Sequence, residues 1–173
     1  GMVYRSLKPV YWCPSYETAL AEAEVEYLDH TSPSIYVKFP SVDVDEVVGP
    51  DCGDPKKPLS VLIWTTTPWT IPANLAVAFH PTFDYVVVKS GDAHYVVLSD
   101  LSEQVREAIG AEEWTVVREF LGSSFEHSVF THPIIGRDSL AVMAEYVTTE
   151  DGTGVVHTAP GHGRDDFYTG QKY

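Results

Sequence analysis

Cationic side chains are scarce in this sequence: 11 Lys and Arg stand against 25 Asp and Glu, for a formal net charge of −14. Phosphate contacts draw their affinity from Lys and Arg, so so acidic a chain is not expected to grip a long nucleic acid by itself. Contact with a single terminal nucleotide stays open. Cysteine is nearly missing too. Cys13 and Cys52 lie in dissimilar contexts and form no C-x-x-C pair, which argues against a disulfide framework or zinc knuckle and fits a reducing cytoplasm. No apolar run approaches the roughly eighteen residues of a membrane helix, and no secretory signal is recognisable, so no membrane association is expected.

What the sequence does contain is ordinary globular material. Its 173 residues, 44% of them hydrophobic with a mean hydropathy of −0.09, suit one domain with a sizeable core. Strand signals dominate, with β-branched and aromatic runs at 3–12, 34–39, 59–64, 76–79, 84–89, 95–98, 114–120, 140–147 and 154–157. "VVVKSGDAHYVVLS" predicts a hairpin turning at Ser90–Ala93, and "GPDCGDPKKP" at 49–58 predicts a surface loop. A helix is expected after Asp100, with Glu103 completing a capping box, Leu101, Val105, Ala108 and Ile109 on one face, and Gly110 as the stop. Weaker helical patterns cover 17–26 and 164–172. Many short strands without βαβ alternation indicate a mainly β fold of α+β type, barrel-like with peripheral helices.

Two stretches could carry chemistry. "WTTTPWTIPAN" at 64–74 follows an apolar strand, yet crowds hydroxyls, indoles and prolines together: a packing corner, or the wall of a pocket with a polar floor. "GTGVVHTAPGHGRDDF" at 152–167 is not a dinucleotide fingerprint, because Asp166 stands where a third glycine belongs and no βαβ unit surrounds it. His157, His162 and Asp166 offer metal-ligand chemistry, but their spacing matches no zinc pattern. Singly, each residue has a plain reading. Asp166 suits a helix first turn, His157 a hydrogen-bonded strand end, Thr65, Thr66 and Thr67 a strand edge, Asn74 a turn, and Trp64 and Trp69 a core.

Taken in order with "VYWCPSYETALAEAEVEY" at 10–27, these stretches make the whole chain resemble the editing domain of isoleucyl-tRNA synthetases, a module inserted into a class I catalytic domain. Valyl and leucyl relatives are expected to carry Thr-Thr-Arg-Pro where this chain has Thr66-Thr67-Pro68, and the synthetic HIGH and KMSKS signatures are absent. Tyr16 departs from the many relatives with a second cysteine after "CPS", and the family's insertion continues past the position of Tyr173. The resemblance implies that 1–173 is one editing-domain fragment with a closed, distorted β-barrel. It implies hydrolysis of valine from the 3′-terminal adenosine of the isoleucine tRNA, and of valyl-adenylate as a second substrate. Catalytic roles fall on Asp166, His157, Thr66, Thr67 and Asn74. Substrate contacts fall on Trp64, Thr65, Thr70, Gly161, His162 and Gly163, with Trp69 helping to set the walls. No cofactor or metal is implied. The expected partner is the rest of the parent synthetase in cis, in a cytoplasmic monomer. Two other classes remain open on the residues alone: a non-catalytic adenosine- or aminoacyl-binding module, and a metal-dependent hydrolase.

Overall fold

The structure is a computed structural model that describes residues 2–42, 48–49 and 59–173. The expected loop at 49–58 lies almost wholly outside the described residues. Two mixed sheets face one core. In the larger, β3 (Ile35–Pro40), β4 (Leu59–Thr65), β7 (Ala93–Leu98), β6 (Asp84–Ser90) and β8 (Thr115–Leu121) lie side by side in that order. In the smaller, β11 (Val156–Thr158), β5 (Ala76–Phe79), β10 (Asp138–Met143) and β9 (Val129–Thr131) do the same. A separate two-stranded ribbon pairs β1 (Tyr11–Cys13) with β2 (Thr18–Leu20). Pairing is parallel for β4 with β7 and for β5 with β10, and antiparallel elsewhere.

The central strands form because their residues are apolar on both faces. Every residue of β5 is buried, as are six of the seven in β4. Phe79 anchors the layer between the sheets, its ring 5.0 Å from Phe125 and 5.1 Å from Tyr85. The predicted hairpin is present, with Ser90 opposite Ala93 and Gly91 turning at φ +56. The helix expected after Asp100 is also present as α1 (Ser102–Ala108), but a 3-10 turn at Ser99–Leu101 precedes it and no side chain caps it. Gly110 ends it at φ +67. The helix expected at 164–172 is α2 (Arg164–Lys172).

Three expectations fail. The run at 3–12 is strand only at Tyr11 and Trp12, because its apolar residues are exposed and find no core to pack on. The barrel is not closed: among the described residues the two sheets are open, meeting at one backbone bridge from Ser41 to Phe130. The physical reason lies in the 152–155 turn. There Gly152 (φ +84) and Gly154 (φ +73) bend the chain out of strand geometry, so the seam is sealed by single contacts instead of a ladder. Leu98 N–H donates to Thr153 O at 2.9 Å, and Tyr85 Oη–H donates to Gly154 O at 2.6 Å. The helix expected at 17–26 is replaced by β2 and a short 3-10 turn at Glu22–Glu24. The chain reverses after Cys13 with Glu17 at φ +51, which commits Thr18–Leu20 to pair back on Tyr11–Cys13. Local hairpin pairing overrides the helix preference of Ala and Glu.

Candidate functional site

The polar stretch at 64–74 begins where β4 ends. Pro68 and Pro72 carry no N–H and hold φ near helical values, so the chain cannot extend the strand and winds into a 3-10 helix over Pro68–Ala73. Pro68 occupies the first helical position, and Asn74 closes the turn by donating its N–H to Ile71 O at 2.9 Å. Ahead of the turn, Thr65 Oγ1 accepts the Thr67 N–H at 3.1 Å and lies 3.2 Å from Thr67 Oγ1. The β9–β10 hairpin braces this corner from below. His132 Nε2–H donates to Ile71 O at 2.8 Å, because its Nδ1 already accepts the Ile134 and Ile135 N–H groups. Arg137 donates to the carbonyls of Pro72 and Asn74.

β11 lies against β5, with His157 opposite Val77, and carries the His157 imidazole to this corner. Asn74 Nδ2–H donates to Ala76 O at 2.7 Å and to His157 Nδ1 at 2.9 Å; Thr70 Oγ1 lies 2.9 Å from His157 Nε2 and donates to Thr67 O at 2.9 Å. After β11 the chain turns through Gly161–Gly163 into α2, whose first turn holds Asp165 and Asp166. Asp166 Oδ2 accepts the Ala159 N–H at 2.8 Å. Gly163 permits this: a Cβ there would stand 2.9 Å from the Asp166 carboxylate carbon.

Between these groups is a cavity of about 180 Å³. Thr65, Thr67 and Thr70 line one side, His157, His162 and Asp166 the other, and Trp64, Val156 and Ala159 complete it. A second cavity of about 290 Å³ shares Trp64, Thr65 and Val156 with the first and is otherwise lined by Thr66 and the 146–155 segment. Burial drives the His157 pKa down to about 4, helped by repulsion from His132 and His162, so the ring is neutral at physiological pH. Burial also raises Asp166 above the ordinary carboxylate value; the Ala159 N–H pulls the other way, and Asp165 pushes it further up. An ammonium entering the cavity would relieve that unfavourable charge. Among the described residues no group of three or more His, Cys, Asp or Glu is arranged to hold a metal ion.

Of the residues singled out in the sequence, Trp64, Thr65, Thr67, Thr70, His157, His162 and Asp166 meet at the first cavity. Thr66 faces the second. Asn74 is fully buried beneath the floor and reaches the cavity only through His157. Gly161 and Gly163 shape the turn without lining the cavity, and Trp69 is 61% exposed and lines neither. Sequence reasoning missed Ser139, His132 and Arg137, which hold the floor from behind. Ser139 sits just ahead of the strand expected at 140–147, in the polar pair Asp138-Ser139 that opens β10, so no sequence signal marked it.

Known proteins resemble this chain in sequence and in fold. The family model of class I tRNA synthetases (I, L, M and V) matches residues 1–130. The isoleucine–tRNA ligase of Geobacillus thermodenitrificans is 55% identical over 173 residues, all of this chain and 18% of that protein; that of Bacillus licheniformis is 56% identical over the same shares. The chain thus spans under a fifth of the length of these relatives. Among solved structures, GlLeuRS-CP1 aligns with a TM-score of 0.67 at 18% identity, covering 79% of this chain and 58% of that one. The editing domain of the P. falciparum cytosolic leucyl-tRNA synthetase aligns with a TM-score of 0.63 at 10% identity, covering 78% and 63%. By sequence and by fold, the chain belongs to the class I tRNA synthetases, as a segment of the isoleucine–tRNA ligase kind with the fold of a synthetase editing domain.

Proposed function

We propose that residues 1–173 act as a single editing unit that hydrolyses valine from the 3′-terminal adenosine of the isoleucine tRNA, with valyl-adenylate as a second substrate. The observation that carries this reading is the first cavity: hydroxyls on one side, and on the other a half-buried carboxylate that burial raises above its ordinary pKa, with His162 beside it. Its volume suits a small aminoacyl group, since a cavity of about 150 Å³ already holds a benzene ring. Asp166 receives the α-ammonium in a charge-assisted contact. The Thr67 hydroxyl can donate to the carbonyl oxygen, Thr70 Oγ1 keeps a lone pair for the attacking water, and the His157 Nε2–H holds Thr70 in place. The second cavity receives the nucleoside, which places the ester where the two cavities meet, beside Trp64 and Thr65.

The chemistry is direct hydrolysis. Water attacks the ester carbon, the bond to the ribose oxygen breaks, and the proton passes to that oxygen with the neighbouring ribose hydroxyl assisting. No covalent enzyme intermediate is needed. The parent synthetase supplies the tRNA grip that so acidic a domain lacks, and the unit works as part of a cytoplasmic monomer. Among the described residues no helix is long and apolar enough to cross a membrane.

The test is deacylation of valyl- against isoleucyl-tRNA by this chain. A synthetic site separates the two amino acids by one methylene, about 1–3 kcal/mol; isoleucyl-tRNA synthetase is the standard example of that limit. An editing site must invert the preference by exclusion, so valyl-tRNA should be hydrolysed at least tenfold faster. Equal rates would remove the assignment.

A further inference from the structure

Resting on the editing reading of the site, we propose that Ser139 is a positioning residue: its hydroxyl sets the Asn74 amide, which holds His157 as the Nε2–H tautomer and aims that N–H at Thr70 and the cavity. Ser139 and Asn74 are both fully buried. Ser139 Oγ–H donates to Asn74 Oδ1 at 2.7 Å.

The proton positions follow from what each atom can do. The Ala76 carbonyl can only accept, so the Asn74 atom 2.7 Å from it is the amide nitrogen. That nitrogen can only donate, so His157 Nδ1, at 2.9 Å, presents a lone pair. In the neutral ring the proton therefore sits on Nε2. Thr70 spends its single proton on Thr67 O and is left to accept from Nε2 at 2.9 Å. A directed chain runs from Ser139 through Asn74, His157 and Thr70 to Thr67, ending at the cavity. Its buried end needs a donor facing Asn74 Oδ1, and Ser139 supplies it from the start of β10, two residues after Arg137 holds the Asn74 carbonyl. His157 thus enters catalysis as a fixed donor, with neither ring nitrogen free to take a proton from water.

Without Ser139 the amide oxygen is buried and unpaired. The amide is then held by the Ala76 contact alone, so the hold on the Nε2–H tautomer weakens. Nitrogen-15 NMR of the ring in the 173-residue chain should show a protonated Nε2 and a bare Nδ1. Ser139→Ala should broaden or mix these signals and lower kcat for valyl-tRNA on the order of tenfold, with KM little changed. Ser139→Thr, which keeps a hydroxyl, should recover both; its shape-matched counterpart Ser139→Val should not. Should Ser139→Ala fail to fold, the threonine–valine pair carries the comparison. A protonated Nδ1 in the unmodified chain overturns the proposal, as does a valine variant indistinguishable from the threonine variant. Absence of any deacylation by the unmodified chain would count against the editing reading alone, since the NMR arm needs no substrate.

Discussion

At Asp166 a helix-terminal acid and a substrate anchor can be told apart, because one carboxylate oxygen is occupied by the Ala159 N–H. Asp166→Asn keeps an acceptor for that N–H but removes the charge. It should leave the melting temperature nearly unchanged while valyl-tRNA hydrolysis falls roughly 10- to 150-fold, the equivalent of about 1.5–3 kcal/mol for a charged hydrogen bond. Loss of stability at unchanged activity would assign the residue to the helix alone. Asp165→Ala makes the control: Asp165 is exposed and does not line the cavity, so its loss should be mild. The sequence could nominate Asp166 through its motif. It could not reveal that burial raises its pKa, because that depends on Ala159 and the cavity wall folding over it.

Elements here are positioned by glycines at close approaches. A Cβ on Gly154 would lie 2.2 Å from Leu98 Cβ, at a backbone φ of +73. Strain and overpacking together should make Gly154→Ala cost about 3 kcal/mol or more, read as a lowered urea midpoint. Gly163→Ala is the opposite case. It would displace the Asp166 carboxylate without touching the core, so hydrolysis should fall while stability holds; unchanged activity would show that the carboxylate can shift freely. The strands 59–64, 76–79, 84–89 and 95–98 were legible because burial on both faces leaves a continuous apolar run. β9 was not, because three residues, "VFT", make too short a pattern. The run at 3–12 is mostly outside any strand, its apolar residues exposed, so hydrophobicity alone misled there. Nor could composition show whether two sheets close, since the seam depends on the left-handed turns at Gly152 and Gly154.

For the molecule as a whole, His157 ties stability to pH. Its folded pKa, about 4, lies below the ordinary 6.5, so on acidification the unfolded chain takes the proton first. The contribution is complete above about pH 6.5 and is lost as pH falls from there to about 4, roughly 2 kcal/mol after allowing for solvent screening. Carboxylates titrate in the lower part of this window, so the measurement is a comparison: thermal melts at pH 7 and pH 4.5 for the chain and for His157→Gln. The unmodified chain should lose more. Equal losses would place the ring in an environment far more open than the buried setting of β11. The motifs at 64–74 and 152–167 made most of the cavity legible; its bracing was not, because His132, Arg137 and Ser139 come from a hairpin far away in sequence.

Trp64 stands between the two cavities, and Gly152 leaves it room there, since a Cβ on that glycine would lie 3.3 Å from the indole. A partition common to two rooms cannot be moved to enlarge one without altering the other. Trimming Trp64 would loosen the size limit on the amino acid and the seating of the nucleoside together. Redesign toward a bulkier amino acid would have to work at Thr67, Thr70 or Ala159, which face the first cavity alone.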